Sequence, residues 1–272
     1  MDKKRPFLKW AGNKYRCLDP ILRSLPQSNR LIEPFTGSGA IFLNSNYTNY
    51  LLAEQNYDLV NLYNYLKQEG NLFINYCSNY FSNLHNNELD FYKFREQFNQ
   101  SNQAHQTRLR AALFLYLNRH GYNGLCRYNH NGKFNVPFGR YKKPYFPVKE
   151  MQTFHHQCQR AEFLQADFRK TFTLAKPDDV IYCDPPYVPL SASANFSAYT
   201  NKRFSETDQI ALTQLAIESA NKGIPVIISN HDTEFTRDQY RQASIISFPV
   251  KRLISCNAAG RKSVPELVAV FK

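Results

Sequence analysis

Seven short apolar runs, each closed by polar or turn-forming residues, constrain the fold of this chain more than any other feature. The runs lie at residues 31–34, 51–54, 163–167, 180–184, 225–229, 245–248 and 267–271. They are rich in β-branched and aromatic residues, which is typical of buried strands. Between two of them, a helix is predicted from a capping signal at Ser205 and Asp208 to a stop at Gly223. Because strand–helix–strand order indicates parallel crossovers, an α/β fold is predicted.

The chain between the second and third runs has a different pattern. Helical periodicity covers residues 58–67 and 108–118, residues 83–102 are polar and amide-rich, and no convincing buried strand intervenes. We interpret this part as an inserted, largely helical subdomain. The predicted boundaries are residues 57–149 for the inserted subdomain, and residues 1–56 and 150–272 for the catalytic domain.

The net charge of +12, from 34 Lys and Arg against 22 Asp and Glu, is concentrated in one place. No acidic residue occurs between Glu96 and Glu150, and we call residues 97–149 the basic segment. An exposed basic face normally carries interspersed acids, because like charges repel. The segment is therefore predicted to form a surface for a polyanion. Its cations are Arg108, Arg110, Arg119, Arg127, Lys133, Arg140, Lys142, Lys143 and Lys149.

Amide and aromatic side chains interleave with these cations, and such side chains can read base edges or fill a gap in a base stack. A basic surface loop with incidental aromatics is the alternative. An acidic membrane is a weaker candidate, because the segment shows no long amphipathic helix. We expect a nucleic acid as partner and no membrane. The interleaved side chains are Tyr122, Asn123, Tyr128, Asn129, Asn131, Phe134, Asn135, Phe138, Tyr141 and Tyr145.

Cysteine spacing and the first residues argue against several other classes of protein. The six cysteines are at least 25 residues apart, which suits neither a structural zinc site nor a small disulfide framework. Residues 1–20 lack a secretory hydrophobic core, so a cytoplasmic protein is expected. His155, His156 and Cys158 form the one tight His/Cys group, which we interpret as part of a surface loop; no metal is expected. We expect a monomer, although the sequence does not define the oligomeric state.

A glycine turn follows the first predicted strand, at residues 33–39. Gly37 and Gly39 let the backbone turn sharply and approach a ligand closely. The dinucleotide fingerprint is incomplete because a third spaced glycine is missing, and the absence of a Gly-Lys-Ser/Thr loop argues against an NTPase. Glu54 ends the next strand, where an acid could accept hydrogen bonds from a ribose. The pattern suits a nucleoside without phosphates as well as a dinucleotide.

The sequence Asp184-Pro185-Pro186-Tyr187 follows the fourth predicted strand and combines an acid, a rigid turn and an aromatic ring. Methylation of an exocyclic base amine needs such a set, because the nitrogen lone pair is delocalised into the ring. If the Asp184 carboxylate and the Pro185 carbonyl accept the amine protons, a usable lone pair is favoured, while Tyr187 stacks on the base. The alternative is an acid that caps a turn beside a tyrosine that only packs.

The run at residues 7–14 places Trp10 between Lys9 and Lys14. The indole could cover a cofactor or approach DNA. It could equally lie buried at an ordinary helix start, and the residues alone leave both interpretations open.

Taken together, these motifs resemble the Dam-type DNA N6-adenine methyltransferases of the α-ordered class. The resemblance implies a Rossmann-like sheet, S-adenosylmethionine as methyl donor, and transfer to N6 of an adenine flipped out of double-stranded GATC, in a bacterial or phage-infected cell. The matching stretches are residues 9–14, 34–39, 117–129, 134–143, 184–187, 194–196 and 228–232, so the similarity covers nearly the whole chain.

The resemblance also implies roles for individual residues. Catalysis is assigned to Asp184, Pro185, Pro186 and Tyr187. Donor binding is assigned to Trp10, Ala11, Gly12, Lys14, Glu33, Pro34, Phe35, Gly37, Ser38, Gly39, Glu54, Asp167, Phe168 and Asp184.

DNA contacts are assigned mainly to the basic segment. Arg127 is expected to read guanine through its O6 and N7 atoms, and Tyr122 and Asn123 to enter the stack near the vacated adenine. Leu125 and Pro137 are expected at base edges. The remaining contacts are base contacts from Lys9 and Tyr141, a contact from Asn135, and phosphate contacts from Arg119, Arg140, Lys142 and Lys143.

Two residues depart from the family pattern. Asn13 stands where glycine is usual, and we expect asparagine to tolerate a left-handed backbone there. Glu54 stands where aspartate is usual, and its extra methylene is expected to shift the ribose contact.

Three other functions are weighed against a DNA adenine methyltransferase. A cytosine N4 enzyme usually has serine in place of Asp184, and a protein glutamine methyltransferase usually has asparagine there. A catalytically weak or silent DNA-binding regulator could keep the same fold, but the intact sequence at residues 184–187 argues against it.

Overall fold

The core of the protein is one seven-stranded sheet. A computed structural model describes residues 2–100, 107–187, 204–251 and 263–272. Its strands are β1 (Arg30–Glu33), β2 (Asn49–Glu54), β3 (Ala161–Gln165), β4 (Asp179–Cys183), β5 (Val226–His231), β6 (Ser244–Lys251) and β7 (Ser263–Phe271). All seven predicted strands are confirmed; the third lies two residues earlier than the sequence pattern places it.

The sheet is parallel except at one edge. The strand order is β3-β2-β1-β4-β5-β7-β6. Strands β1 to β5 run parallel, while β7 runs antiparallel to both of its neighbours. The order in which strands are added reverses at the neighbouring strands β1 and β4: β2 and β3 extend the sheet on one side, and β5 extends it on the other. Strands β1 and β4 pair through Ile32 and Ile181. In open α/β sheets, ligands bind outside the carboxyl ends of the strands at such a switch point.

Helices cover both faces of the sheet. They are α1 (Leu18–Ser24), α2 (Ala40–Asn44), α3 (Tyr57–Glu69), α4 (Asn71–Ser78), α5 (Glu88–Gln100), α6 (Arg108–His120), α7 (Val148–Cys158), α8 (Phe168–Phe172), α9 (Glu206–Asn221) and α10 (Glu234–Gln239). The capping box predicted at Ser205 and Asp208 is confirmed at the start of α9. None of the helices that the structure describes is long and apolar enough to cross a membrane.

Two clusters of buried apolar side chains sandwich the sheet. Neighbouring residues on one strand point to opposite faces, so Leu31 belongs to one cluster and Ile32 to the other. The cluster that contains Leu31 continues through Tyr63 of α3 into Phe114 of α6. The helices between β2 and β3 therefore share a core with the sheet, and the division at residues 57–149 stays a prediction.

Arg110 corrects the interpretation of the basic segment. Its guanidinium is buried and pairs with the buried Asp58 carboxylate, with Nε 2.5 Å from Oδ1 and Nη2 3.1 Å from Oδ2. Nη1 also donates to the Phe98 carbonyl at 2.8 Å. Arg110 was counted among the cations of a surface for a polyanion, and this is wrong, because Asp58 from outside the segment neutralises it.

Two more cations of the segment meet acids that precede it. Arg108 pairs with Glu69 at 2.6 Å, and the exposed Arg140 lies 3.6 Å from Glu88. The acid-free sequence therefore does not produce an acid-free surface. The charge available to a polyanion is smaller than the sequence count suggests.

The interpretation of His155, His156 and Cys158 as a surface loop is wrong. All three residues lie on α7, where His155 Nδ1 is 2.9 Å from the Leu66 carbonyl and Cys158 is buried. Among the residues described, no group of three His, Cys, Asp or Glu side chains could hold a metal ion.

The Arg110–Asp58 pair yields a stability prediction. Arg110→Ala leaves a buried carboxylate without its partner, so we expect the free energy of unfolding to fall by about 3–5 kcal/mol in urea denaturation. Arg140→Ala is the control, because an exposed pair contributes at most about 1 kcal/mol. Equal, small losses in the two variants would contradict a structural role for the buried pair.

Candidate active site

The carboxyl ends of the parallel strands gather the polar residues that the sequence singled out. Glu33 ends β1, Glu54 ends β2, Asp167 follows β3, and Asp184 follows β4. The parallel pairing of these strands puts all four acids at the end of the sheet where the strands finish, which we call the carboxyl edge.

Lys14, Asp184 and Tyr187 form the centre of this edge. Lys14 Nζ is 2.8 Å from Asp184 Oδ1 and donates to the Tyr187 hydroxyl at 2.7 Å. It also donates to the Gly12 carbonyl at 3.1 Å. The lysine is buried, while the aspartate and the tyrosine are partly buried.

Charge pairing decides the protonation state of Lys14. Burial alone would lower its pKa, but the charges of Asp184, Tyr187 and, to a smaller extent, Glu266 raise the pKa above its usual value. Lys14 is therefore an ammonium at neutral pH. Burial raises the pKa of Asp184, and the neighbouring Lys14 opposes that rise.

Three residues to which the sequence analysis gave no role surround this centre. Ser229 donates to Asp184 Oδ1 at 3.2 Å, and the His231 ring lies 3.8 Å from the Tyr187 ring, measured between centroids. Glu266 of β7 accepts a 3.7 Å contact from Cys17 Sγ. Ser229 and His231 belong to a stretch that contributes to the family resemblance, whereas nothing near Glu266 in the sequence marks it.

The glycine turn is held from several sides. Gly37 and Gly39 have φ values of 48° and 70°, in the left-handed region that favours glycine. The Gly37 amide donates to Glu54 Oε2 at 3.2 Å. Trp10 packs against the turn, because a Cβ added at Gly37 would lie 2.9 Å from its Nε1. The indole is partly buried and lies beside the glycine turn, and its contact with a cofactor stays a prediction.

Two carboxyls at this edge have perturbed ionisation. Burial, and secondarily the charge of Asp184, raises the pKa of Glu33 well above its usual value. Glu33 Oε1 has no hydrogen-bond partner among the residues described. Burial also raises the pKa of Glu54, whose Oε1 accepts from the Asn56 amide at 3.2 Å.

Asn13 does not adopt the left-handed conformation that we expected. Its φ is −50°, and its side chain accepts from the Tyr15 amide at 2.8 Å to cap the 3-10 helix Lys14–Arg16. The left-handed residue is Gly12, with φ of 78°. Asparagine is accommodated as a helix cap, so this turn does not need glycine at position 13.

The other residues assigned to donor binding line the same edge. Phe35 stacks on the buried Phe168 with 5.5 Å between ring centroids. Asp167 caps α8 and accepts from Gln55 at 2.7 Å. Ser38, Pro34 and Pro185 are buried, and Ala11 and Pro186 are partly exposed.

The DNA-contact candidates of the basic segment lie on a short hairpin and its neighbours. We call residues 127–135 the recognition hairpin; a bridge between Tyr128 and Phe134 joins its two sides. Arg127 is exposed and donates to Asn135 Oδ1 at 2.7 Å and to the Asn135 carbonyl at 3.1 Å. Phe134 is buried, and Tyr128 donates to Asp58, so neither ring is a base reader as the interleaving pattern suggested.

Lys9 and Tyr141 meet beside this hairpin. Lys9 Nζ lies 3.8 Å from the centroid of the Tyr141 ring. Burial and the charge of Arg119 lower the pKa of Lys9 to about 8. Arg119 is itself partly buried and donates to the Tyr145 carbonyl at 2.9 Å, so its guanidinium is already held by the backbone.

The remaining candidates differ in exposure. Tyr122 and Asn123 are exposed, and Asn123 has φ of 53°. Leu125 is partly buried, whereas Pro137, Arg140, Lys142 and Lys143 are exposed. Residues 194–196, part of the family resemblance, lie outside the described residues.

The chain is similar over its whole length to DNA adenine methylases. A protein of that name from Serratia marcescens is 50% identical and aligns over 100% of both chains. Relatives of the same name from Vibrio cholerae serotype O1 and Escherichia coli strain K12 are 49% and 47% identical, over 100% of this chain and 97% of their own. A solved structure described as precorrin 8W decarboxylase aligns with a TM-score of 0.42 at 9% identity, which carries no argument.

A family match completes the comparison. Residues 10–254 match the family described as D12 class N6 adenine-specific DNA methyltransferase, which leaves no place for a cytosine N4 or a protein glutamine enzyme. This match and the end-to-end alignment with relatives lead to one conclusion. The chain belongs to the D12 class of N6 adenine-specific DNA methyltransferases.

Proposed function

We propose that this DNA adenine methyltransferase transfers a methyl group from S-adenosylmethionine to N6 of an adenine flipped out of double-stranded GATC. The observation that carries the proposal is the contact of Lys14 with both Asp184 and Tyr187 at the carboxyl edge of the sheet, next to the glycine turn. A base amine and a methyl donor can meet there between an acid, an aromatic ring and a closely approaching backbone.

The residues of this edge fit the proposed donor. S-adenosylmethionine carries a sulfonium, an ammonium and a carboxylate, and it supplies an electrophilic methyl group. The Glu33 carboxyl lacks a partner for Oε1 among the residues described, and a ligand cation would complement it. Lys14 supplies an ammonium, and Trp10 lies against the glycine turn. Glu54, which accepts a hydrogen bond from the Gly37 amide, would accept hydrogen bonds from the donor's ribose.

Asp184 is proposed to prepare the base amine. Its contacts with Lys14 and Ser229 both fall on Oδ1, so Oδ2 is the oxygen that a substrate amine would address. Hydrogen bonds from the two N6 protons to the Asp184 carboxylate and to the Pro185 carbonyl would make the nitrogen lone pair available. S-adenosylmethionine would supply the methyl group, and the Asp184 carboxylate would accept the surplus N6 proton.

Tyr187 is proposed to stack on the flipped adenine. Its ring is fixed before the base arrives, because Lys14 holds the hydroxyl and the His231 ring packs against it. A stacking partner held in one orientation lowers the entropy cost of aligning N6 with the methyl group.

Sequence choice is proposed to come from the recognition hairpin and its neighbours. Arg127 is exposed, and its Nε and Nη2 donate to Asn135. These bonds orient the guanidinium, which suits two hydrogen bonds from its outer N–H groups to a guanine. Leu125, Pro137, Lys9 and Tyr141 would contact the other base edges. Tyr122 and Asn123 are exposed and would enter the stack near the vacated adenine, and Arg119, Arg140, Lys142 and Lys143 would meet phosphates.

The role of Asp184 can be tested directly. We expect Asp184→Ala to lower turnover by about 10²-fold or more while DNA affinity stays nearly unchanged, because the acceptor for N6 is removed. Transfer of a labelled methyl group to a GATC duplex measures the first, and fluorescence anisotropy the second. Asp238→Ala removes an acid of α10 outside the site and is the control. DNA binding without transfer in the unaltered protein would support the silent regulator instead.

Ser229 gives a pH-dependence prediction. Its hydrogen bond lowers the pKa of Asp184, and the ionised carboxylate is the active form. Ser229→Ala should therefore raise that pKa and move the acidic limb of the pH–rate profile to higher pH. The buried Ser219 of α9, replaced by alanine, is the control and should leave the limb in place. A shift to lower pH would contradict this assignment.

Arg127 and Lys142 should separate base reading from phosphate binding. Arg127→Ala is expected to cost about 1–3 kcal/mol at GATC and to relax the choice of one guanine, as for other bidentate base contacts. Lys142→Ala should weaken binding to all duplexes equally. Methylation rates on GATC and on duplexes with one guanine replaced measure both. A loss after Arg127→Ala that is the same for every duplex would make Arg127 a phosphate ligand.

A further inference from the structure

Helix α5 packs against the recognition hairpin, although no motif in the sequence of the helix indicated a role in DNA recognition. Asn99 on the last turn of α5 makes two hydrogen bonds with the backbone of one hairpin residue. Its Nδ2 donates to the Phe134 carbonyl at 3.1 Å, and its Oδ1 accepts from the Phe134 amide at 2.8 Å. The side-chain amide thus pairs with Phe134 as the backbone of a neighbouring strand would.

Direct hydrogen bonds connect this point to the guanidinium of Arg127. Phe134 precedes Asn135, whose amide donates to the Arg127 carbonyl at 3.0 Å. Asn135 in turn accepts two hydrogen bonds from the Arg127 side chain, at 2.7 and 3.1 Å. The backbone that Asn99 holds is therefore one residue from the group that orients Arg127.

Other residues of α5 contact the recognition hairpin and the residue that follows it. Arg95 donates to the Val136 carbonyl at 3.1 Å, and Phe98 packs edge-on against Phe134 with 5.9 Å between ring centroids. Just before α5, Asn86 donates to the carbonyls of Tyr141 and Lys142 at 2.9 and 3.1 Å. Polar side chains in and just before α5 thus bind the backbone that follows the recognition hairpin, in addition to the bonds of Asn99 within it.

We propose that Asn99 is a positioning residue for sequence discrimination, which fixes the recognition hairpin so that Arg127 meets guanine in one geometry. The inference rests on the proposed function, in which Arg127 reads a guanine. A bidentate contact needs both nitrogens of the fork in place, whereas a phosphate accepts an arginine from many directions. Loss of the Asn99 bonds loosens the fork but leaves the charge, so discrimination falls while DNA attraction stays.

The first test compares Asn99→Ala with Gln100→Ala, its exposed neighbour on α5. The ratio of kcat/KM on GATC to kcat/KM on a duplex with one guanine replaced should fall by about fivefold or more in Asn99→Ala, the lower end of a bidentate base contact. Turnover at saturating GATC should stay within about twofold, because the transfer centre is untouched. Gln100→Ala should leave the ratio unchanged. An unchanged ratio in Asn99→Ala overturns the proposal.

A double-variant cycle tests whether Asn99 acts through Arg127. In an Arg127→Ala background, Asn99→Ala should cause no further loss of discrimination, because the reader is already absent. Independent losses that add would overturn the proposal. Melting temperatures of all variants are compared, and if Asn99→Ala does not fold, the near-isosteric Asn99→Asp replaces it. That variant keeps the acceptor for the Phe134 amide and loses the donor, so a reduced ratio is again expected and an unchanged one overturns the proposal.

The same data distinguish failure of the proposed function. If Arg127→Ala keeps full discrimination, Arg127 is not the guanine reader and the proposed function is wrong at that residue. If Arg127→Ala loses discrimination and Asn99→Ala keeps it, only the inference on Asn99 fails.

Discussion

The buried pair of Arg110 and Asp58 is the interaction on which the arrangement of this protein depends. A buried pair of opposite charges is stable only if the two groups are in close contact and make further hydrogen bonds, and both conditions are met here. Arg110 also binds the carbonyl of Phe98 on α5, and Asp58 also receives the hydroxyl of Tyr128 in the recognition hairpin. One ion pair therefore fixes α3, α5, α6 and the hairpin relative to one another. Since α3 follows β2 directly, the same pair relates the hairpin to the edge of the sheet where Glu54 lies.

At that edge, a second buried charge organises the chemistry. Lys14 contacts Asp184 and Tyr187, and these groups, with a smaller contribution from Glu266, keep it protonated against the cost of burial. The ammonium in turn stabilises the Asp184 carboxylate, whose pKa burial would otherwise raise further. The proposed acceptor and stacking ring thus derive their state and orientation from one lysine.

The sequence was sufficient where the relevant pattern is local. Strand runs and the α9 capping box depend on neighbouring residues, so they could be predicted. It failed where the partner is distant: Arg110 counted as a surface cation because Asp58 lies in another helix, and Tyr128 counted as a base reader for the same reason. Asn13 was judged by the residue usual there rather than by the helix that it caps. Ser229 and Glu266 reach the site only through the strand order β1-β4-β5-β7, which no local pattern contains.

The position of β7 has a consequence for the order in which the fold can be completed. In the sheet, β6 pairs with β7, and β7 fills the place between β6 and β5. Until residues 263–271 emerge during synthesis, β5 presents an open edge and β6 has no sheet partner. Glu266 reaches the neighbourhood of Lys14 on that same strand. The charge balance of the site is therefore completed only after the recognition hairpin and the helices that hold it have been synthesised.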